Sequence, residues 1–256
     1  MPLLPLLQDL VYGPVRSRRL GWSLGINVFP PGRKICNFNC AYCQYGWTCE
    51  GETAVRPDEW PAPGAITEAV RASLGALQAA HRRVDRLTLA GNGEPTLHPS
   101  FGEIVEGLRA VRDDLAPDVR LAVLSNAGTL DRPAVVAAMR RVDSAYLKLD
   151  SADPDLFRRM NGGTARLPKI LEALCTLSHV TIQSLFTRDA ARRIDNTTAD
   201  AIDHWLEALK AIGPEAVHVY TIDRAPAWSA LEKVPRSELE AIAARVKALG
   251  IPVMVF

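Results

Sequence analysis

The 256-residue chain has no run approaching the eighteen or so apolar residues that a membrane-spanning helix needs. Its opening residues, 1–7, lack the basic start and small-residue cleavage site of a secretory signal. Charge of one sign is also scarce. Thirty Lys and Arg stand against 29 Asp and Glu, a net charge of +1, so there is no broad basic field of the kind that dominates non-specific nucleic-acid binding. Cysteines number only five, an odd count, and three of them fall within eight residues, which is not a disulfide framework. Low-complexity segments, long charged tails and an internal break in composition are absent as well. The expectation is one soluble, cytoplasmic unit over residues 1–256 that keeps its thiols reduced.

What is present is concentrated at Cys36, Cys40 and Cys43, a Cys-x-x-x-Cys-x-x-Cys run with Tyr42 before the last cysteine. Three thiolates are one short of a closed site, since a structural zinc or an ordinary iron–sulfur cluster takes four protein ligands. Two readings follow: a [4Fe–4S] cluster with one iron left open, or a zinc completed by Cys49. The remaining cysteine, Cys175, lies among Leu171, Leu174 and Leu177 and reads as a small buried hydrophobe. Five cysteines minus three leave too few for a second four-thiolate cluster.

Apolar runs rich in Val, Leu, Ile, Tyr and Phe recur at 24–29, 87–90, 121–125, 146–149, 180–186, 217–222 and 253–256. Most are spaced by the length of a strand plus a crossover helix. Between them Ile66, Val70, Leu74 and Leu77 keep helical spacing, as do Phe101, Ile104, Val105 and Leu108, and Ile202, Trp205, Leu206 and Leu209. Near the end, Ser237 and Glu240 read as a capping box, with Gly250 and Pro252 as the stop. The alternation predicts an α/β fold in which a parallel sheet curls toward a barrel, with the active site at the carboxyl ends of the strands. Polar residues there are the cysteine loop, Gly91, Asn92, Gly93 and Glu94, then Ser125 and Asn126, Lys148 and Asp150, Gln183, and Asp223 with Arg224.

The run from Cys36 to Cys43 resembles the signature of the radical S-adenosylmethionine superfamily. The flanks Tyr12-Gly13-Pro14-Val15, Ser17-Arg18-Arg19-Leu20-Gly21 and Leu24-Gly25-Ile26-Asn27 resemble its bacterial and archaeal Fe–S oxidoreductase branch, distantly grouped with wyosine-type tRNA synthases. Gly91-Asn92-Gly93-Glu94-Pro95-Thr96, Leu147-Lys148-Leu149-Asp150, Phe157-Arg158-Arg159-Met160-Asn161 and Val219-Tyr220-Thr221-Ile222-Asp223-Arg224 extend the likeness over 12–224, with a helix and strand at 236–256 beyond it. The resemblance implies a partial (β/α)6 TIM-like barrel. It further implies a [4Fe–4S] cluster on the three cysteines whose open iron binds the amino and carboxylate groups of S-adenosylmethionine. An external flavodoxin- or ferredoxin-like donor would supply the electron that cleaves this cofactor to a 5′-deoxyadenosyl radical.

On this view Gly91, Asn92, Gly93 and Glu94 face the methionine ammonium, with the glycines permitting close backbone approach. Ser125 and Asn126 contact ribose or the methionine carboxylate, and Lys148 and Asp150 divide carboxylate and ribose hydroxyls between them, unless these four face the substrate instead; Gln183 adds a polar contact, and Tyr42 flanks the adenine. Trp22, Tyr45 and Trp47 either cover the cluster against water or are packing aromatics near the barrel mouth. Arg16, Arg18, Arg19, Arg33 and Lys34 precede the cysteine loop; they either favour an anionic substrate or are ordinary structural cations. Of the five histidines, His98 and His218 have the best positions. The substrate stays open. A tRNA-modifying enzyme, a glycyl-radical activase and a non-catalytic electron-transfer protein are the alternatives, and the near-neutral charge counts against nucleic acid.

Overall fold

The computed structural model describes residues 2–48, 54–163, 166–191 and 193–256. Strand β1 (Val11–Ser17) turns back antiparallel onto β2 (Gly21–Ile26), and from β2 onward the sheet is parallel. Its further strands are β3 (Arg86–Leu89), β4 (Arg120–Ser125), β5 (Ser144–Lys148), β6 (Val180–Asp189), β7 (Ala216–Thr221) and, after a short β8 (Leu231–Lys233), β9 (Val253–Val255). The order is β1-β2-β3-β4-β5-β6-β7-β9, with β8 paired antiparallel to the end of β6. Helices α1 (Pro63–Ala79), α2 (Phe101–Leu115), α3 (Pro133–Met139), α4 (Pro154–Asn161), α5 (Leu167–Leu174), α6 (Ala199–Ile212) and α7 (Arg236–Ala248) fill the connections. This is the curled, parallel α/β architecture that the alternation predicts.

Alternation along each strand divides the side chains between two faces. Leu24, Ile26, Leu87, Leu89, Leu121, Val123, Leu147, Ile182, Val217 and Val219 join the main core with Ile66, Val70, Ile104, Leu108, Trp205 and Leu209 of the helices. Each such Leu or Ile contributes about 1.5–3 kcal/mol of burial. The other face carries Ser23, Thr88, Tyr146, Lys148, Gln183, His218 and Tyr220, joined by contacts such as Ser23 to Thr88 at 2.7 Å and the Tyr146 and His218 rings at 5.6 Å. A closed barrel would fill this inner face with branched hydrophobes. Here it is polar.

The turn between β1 and β2 reaches the opposite side of the sheet, where Arg18 pairs with Asp223 at 2.9 Å and Arg19 lies 4.3 Å from the Tyr220 ring centre. Leu20 enters the interior beside Ala122 and Tyr146. The hairpin was not read from the sequence, nor were β8, α3, α4 and α5. Strand β2 also ends three residues before the predicted 29. At Asn27 the side chain bonds the carbonyls of Asp9 and Phe29 (3.3 and 3.4 Å), which takes the chain out of the sheet. Ser237 and Glu240 form no capping box: α7 begins at Arg236 on Pro235, so Ser237 lies inside the first turn and Glu240 accepts from Arg236 at 2.7 Å. Gly250, with φ +78, does end the helix. No described helix is long and apolar enough to cross a membrane.

Candidate cluster and cofactor site

The cysteine loop is clamped from both sides at the carboxyl end of the sheet. On one side Ile35 donates to the Asn92 carbonyl at 3.0 Å and accepts from the Glu94 amide at 2.9 Å, a strand-like bridge to the segment after β3. Gly93 makes this possible. A Cβ there would stand 1.8 Å from the Ile35 carbonyl oxygen. On the other side the end of α4 accepts the amides of Asn39 (Asn161 O, 2.7 Å) and Ala41 (Met160 O, 2.8 Å). Helix α4 is fixed at its start by Asp153, whose carboxylate accepts from the Leu156 amide at 2.7 Å. Gly163 passes so close that a Cβ would meet the Asn37 carbonyl at 2.1 Å.

Cys36, Cys40 and Cys43 are half-buried free thiols. The Asn126 amide nitrogen lies 3.6 Å from the Cys36 sulfur and that of Asn161 lies 3.6 Å from the Cys40 sulfur. Burial pushes the Cys36 thiol well up, with the neighbouring Cys40 adding to it, and burial raises Cys40 to about 11 despite the Tyr42 hydroxyl. Thiols so placed ionise only with a cation to replace their protons, which is what metal binding supplies. Among the described residues Asn161 Oδ1, beside them, is buried without a partner. Among the described residues no three His, Cys, Asp or Glu side chains converge on one ion. A [4Fe–4S] cluster instead engages each cysteine through a different iron, so this donor set fits a cluster. Cys49, the expected completion of a zinc site, lies outside the described residues.

A second network runs inward from the loop. Asp150, its side chain fully buried, accepts from the Tyr42 hydroxyl, from Asn161 Nδ2 at 3.0 Å and from the Leu185 amide at 2.8 Å, and pairs with Lys148 at 3.2 Å. Lys148 also donates to the Tyr220 hydroxyl at 2.7 Å and sits 4.6 Å from the Tyr42 ring centre. Burial alone would lower the Lys148 pKa, but the Asp150 charge together with Tyr220 and Cys40 more than reverses this and keeps the ammonium protonated. Burial and the Asp150 charge push the Tyr42 phenol well up, so it stays a donor. Gln183 accepts from Arg19 at 3.1 Å and meets His218 Nδ1 at 3.3 Å. Burial, then the charges of Arg19 and Arg86, lower the His218 pKa to about 4.

The sequence-predicted residues make the following contacts within the chain itself. Asn92 is spent on the amino-terminal segment, bonding the Leu7 amide at 2.8 Å and its carbonyl at 2.9 Å. Gly91 and Gly93 admit Asn27 and Ile35 respectively. Glu94 is buried, its oxygens accepting from the Asn126 amide (2.6 Å) and Thr96 Oγ1 (2.6 Å), so its side chain braces two loops. Ser125 Oγ accepts from the Ala127 amide at 3.1 Å. Lys148 and Asp150 pair with each other. Cys175 is exposed at the end of α5, because the helix turns its Leu167, Ile170 and Leu174 face inward instead. Trp22 stands at the amino end of β2 beside Asp85, the wrong end to cover the cysteines, and Trp47 is exposed. His98 is held by the Pro61 carbonyl at 3.0 Å and packs on Trp60. Asn161, whose amide reaches Cys40, Tyr42 and Asp150, was quoted for its resemblance but given no role.

A thiol triplet docked at the carboxyl end of a curled parallel sheet is the arrangement of one enzyme superfamily, and the comparisons agree. The profile of the Radical SAM superfamily matches residues 33–188, and the chain belongs to that superfamily. Proteins of this superfamily use a [4Fe–4S] cluster and S-adenosylmethionine. Within it, the chain is similar to a UPF0026 protein of Synechocystis sp., 35% identical over 216 residues that cover 82% of this chain and 74% of the relative. It is also 29% identical to a UPF0026 protein of Helicobacter pylori over 90% of this chain and 71% of the relative. Among solved structures, a radical SAM methyltransferase from Sphaerobacter thermophilus superposes with a TM-score of 0.65 at 15% identity, covering 91% of this chain and 65% of that one. That likeness carries the fold.

Proposed function

We propose that the chain is a radical S-adenosylmethionine enzyme in which Cys36, Cys40 and Cys43 hold an open-site [4Fe–4S] cluster and a small anionic molecule is the substrate from which hydrogen is taken. The observation that carries this is the cysteine loop itself, clamped between the Gly93 segment and the end of α4 with side-chain amides on two of its sulfurs. When bound, the cluster and S-adenosylmethionine supply reductive cleavage of the sulfonium C–S bond. The chain's own part is to orient and to exclude water. Asn126, anchored through Asn37 at 2.8 Å and Gly128 at 2.8 Å, presents its amide to Cys36. Tyr42 and Lys148 stack at the inner edge of the loop, between the cysteines and the polar interior, and give a cofactor both a ring face and a fixed positive charge.

The substrate class rests on the interior. Arg19 spends one of its five donors on Gln183 and faces Tyr220. No carboxylate lies within ion-pair distance of it among the described residues. Lys148 approaches the same ring at 5.1 Å. An anion is the chemistry that complements such a wall.

Anaerobic reconstitution tests the cluster. Close to four irons and four sulfides per chain are expected, lost in Cys36→Ala, Cys40→Ala or Cys43→Ala and retained in Cys175→Ala. One tightly held zinc without sulfide contradicts the proposal.

A further inference from the structure

Lys34 is 4% exposed, two residues before the first cysteine, and among the described residues no carboxylate lies within ion-pair distance of it. Its Nζ donates to the Gly46 carbonyl, and the Gly46 amide in turn donates to the Cys43 carbonyl at 3.1 Å. The ammonium therefore ties the entry of the cysteine loop to its exit. A buried ammonium whose one partner among the described residues is a neutral carbonyl is an expensive arrangement unless an anion lies close. The other fixed charge that reaches Cys36 is Glu94, whose oxygens are occupied by Asn126 and Thr96. Among the described residues, the anion still available to Lys34 is the cysteine set.

We propose that Lys34 is the fixed counter-charge of the cysteine-held cluster and acts as a positioning residue that sets its reduction potential. The inference rests on the cluster reading above. Reduction adds one electron from an external low-potential flavin or iron–sulfur donor, with no bond made or broken, and leaves one more negative charge on the site. A nearby positive charge favours that state. At an effective dielectric of about 20, a unit charge within about 10 Å changes a one-electron equilibrium by roughly tenfold. The same ammonium bonds the loop backbone, so charge and hydrogen bond must be separated experimentally.

Lys34→Gln keeps a donor for Gly46 and removes the charge, and Lys34→Arg keeps the charge. The three reconstituted proteins are compared by redox titration monitored by electron paramagnetic resonance. At the wild-type midpoint the reduced-to-oxidised ratio of Lys34→Gln is expected to fall about tenfold, equivalent to about 59 mV for one electron, while Lys34→Arg stays near wild type. Loss of iron in Lys34→Gln but not in Lys34→Arg also supports a requirement for charge. An unmoved midpoint in Lys34→Gln, or equal loss of iron in both variants, overturns the role of Lys34. Wild-type protein without iron and sulfide removes the cluster reading itself, which the same samples report separately.

Discussion

Replacing Asp150 by Asn changes one oxygen to an amide and tests whether the interior network is held together by that carboxylate. In the structure four donors converge on it: the Tyr42 hydroxyl, Asn161 Nδ2 at 3.0 Å, the Leu185 amide at 2.8 Å and the Lys148 ammonium at 3.2 Å. The asparagine keeps one acceptor and turns a donor toward donors. It also leaves Lys148, whose side chain is only 20% exposed, without its counter-charge. Removing one partner of a buried pair costs about 3–5 kcal/mol, and the exposure of Lys148 points to the lower end of that range. Urea unfolding of the metal-free protein measures it, with an unchanged slope as the check that the unfolded state is the same. Because the penalty comes from the stranded ammonium, Lys148→Met combined with Asp150→Asn should recover part of the loss. A loss under about 1 kcal/mol, below what one charged hydrogen bond is worth, would refute the reasoning. So would a double variant that is less stable than the sum of the two single changes.

Gly93→Ala places a methyl 1.8 Å from the Ile35 carbonyl, so the cysteine loop has to leave its bridge; reconstituted iron content is expected to fall severalfold while α-helical circular dichroism persists. His218 has a folded-state pKa lowered to about 4, below its unfolded value of about 6.5, so the unfolded chain binds the extra proton between those limits. By linkage, stability from this residue is complete above about pH 6.5 and is lost as pH falls toward 4, about 3 kcal/mol in total. His218→Phe should flatten the denaturant midpoint across that window relative to wild type; parallel pH profiles contradict the assignment.

The parallel strands β2 to β7 and β9 were legible because each is a short apolar run, and α1, α2, α6 and α7 because they carry clean periodicity. Strand β1 was not: Val11–Ser17 is interrupted by Gly13 and Pro14 and exposes Val15 and Arg16, so it lacks an apolar signal and is defined by pairing with β2. Helix α4 is eight residues, including Asp155, Arg158 and Arg159, and depends on the Asp153 cap and on burial of Leu156, Phe157 and Met160. In the site, the thiol triplet and the polar strand ends were readable from spacing alone. The partners were not. Asn92 serves Leu7, 85 residues away, and Asn161 serves Cys40, 121 residues away, pairings that only the folded chain brings together. Glycines 91 and 93 were read as permitting close backbone approach, and the segments they admit, at Asn27 and Ile35, belong to the chain itself.

S-adenosylmethionine-dependent radical chemistry at this site is tested by formation of 5′-deoxyadenosine by the reconstituted, dithionite-reduced protein without added substrate. Slow release of 5′-deoxyadenosine and methionine is expected, abolished by Cys36→Ala, with cofactor binding weakened about ten- to a hundredfold by Lys148→Ala through loss of a charge-assisted contact of about 1.5–3 kcal/mol. An intact, reduced cluster that never yields 5′-deoxyadenosine would contradict it and leave an iron–sulfur electron carrier as the better description.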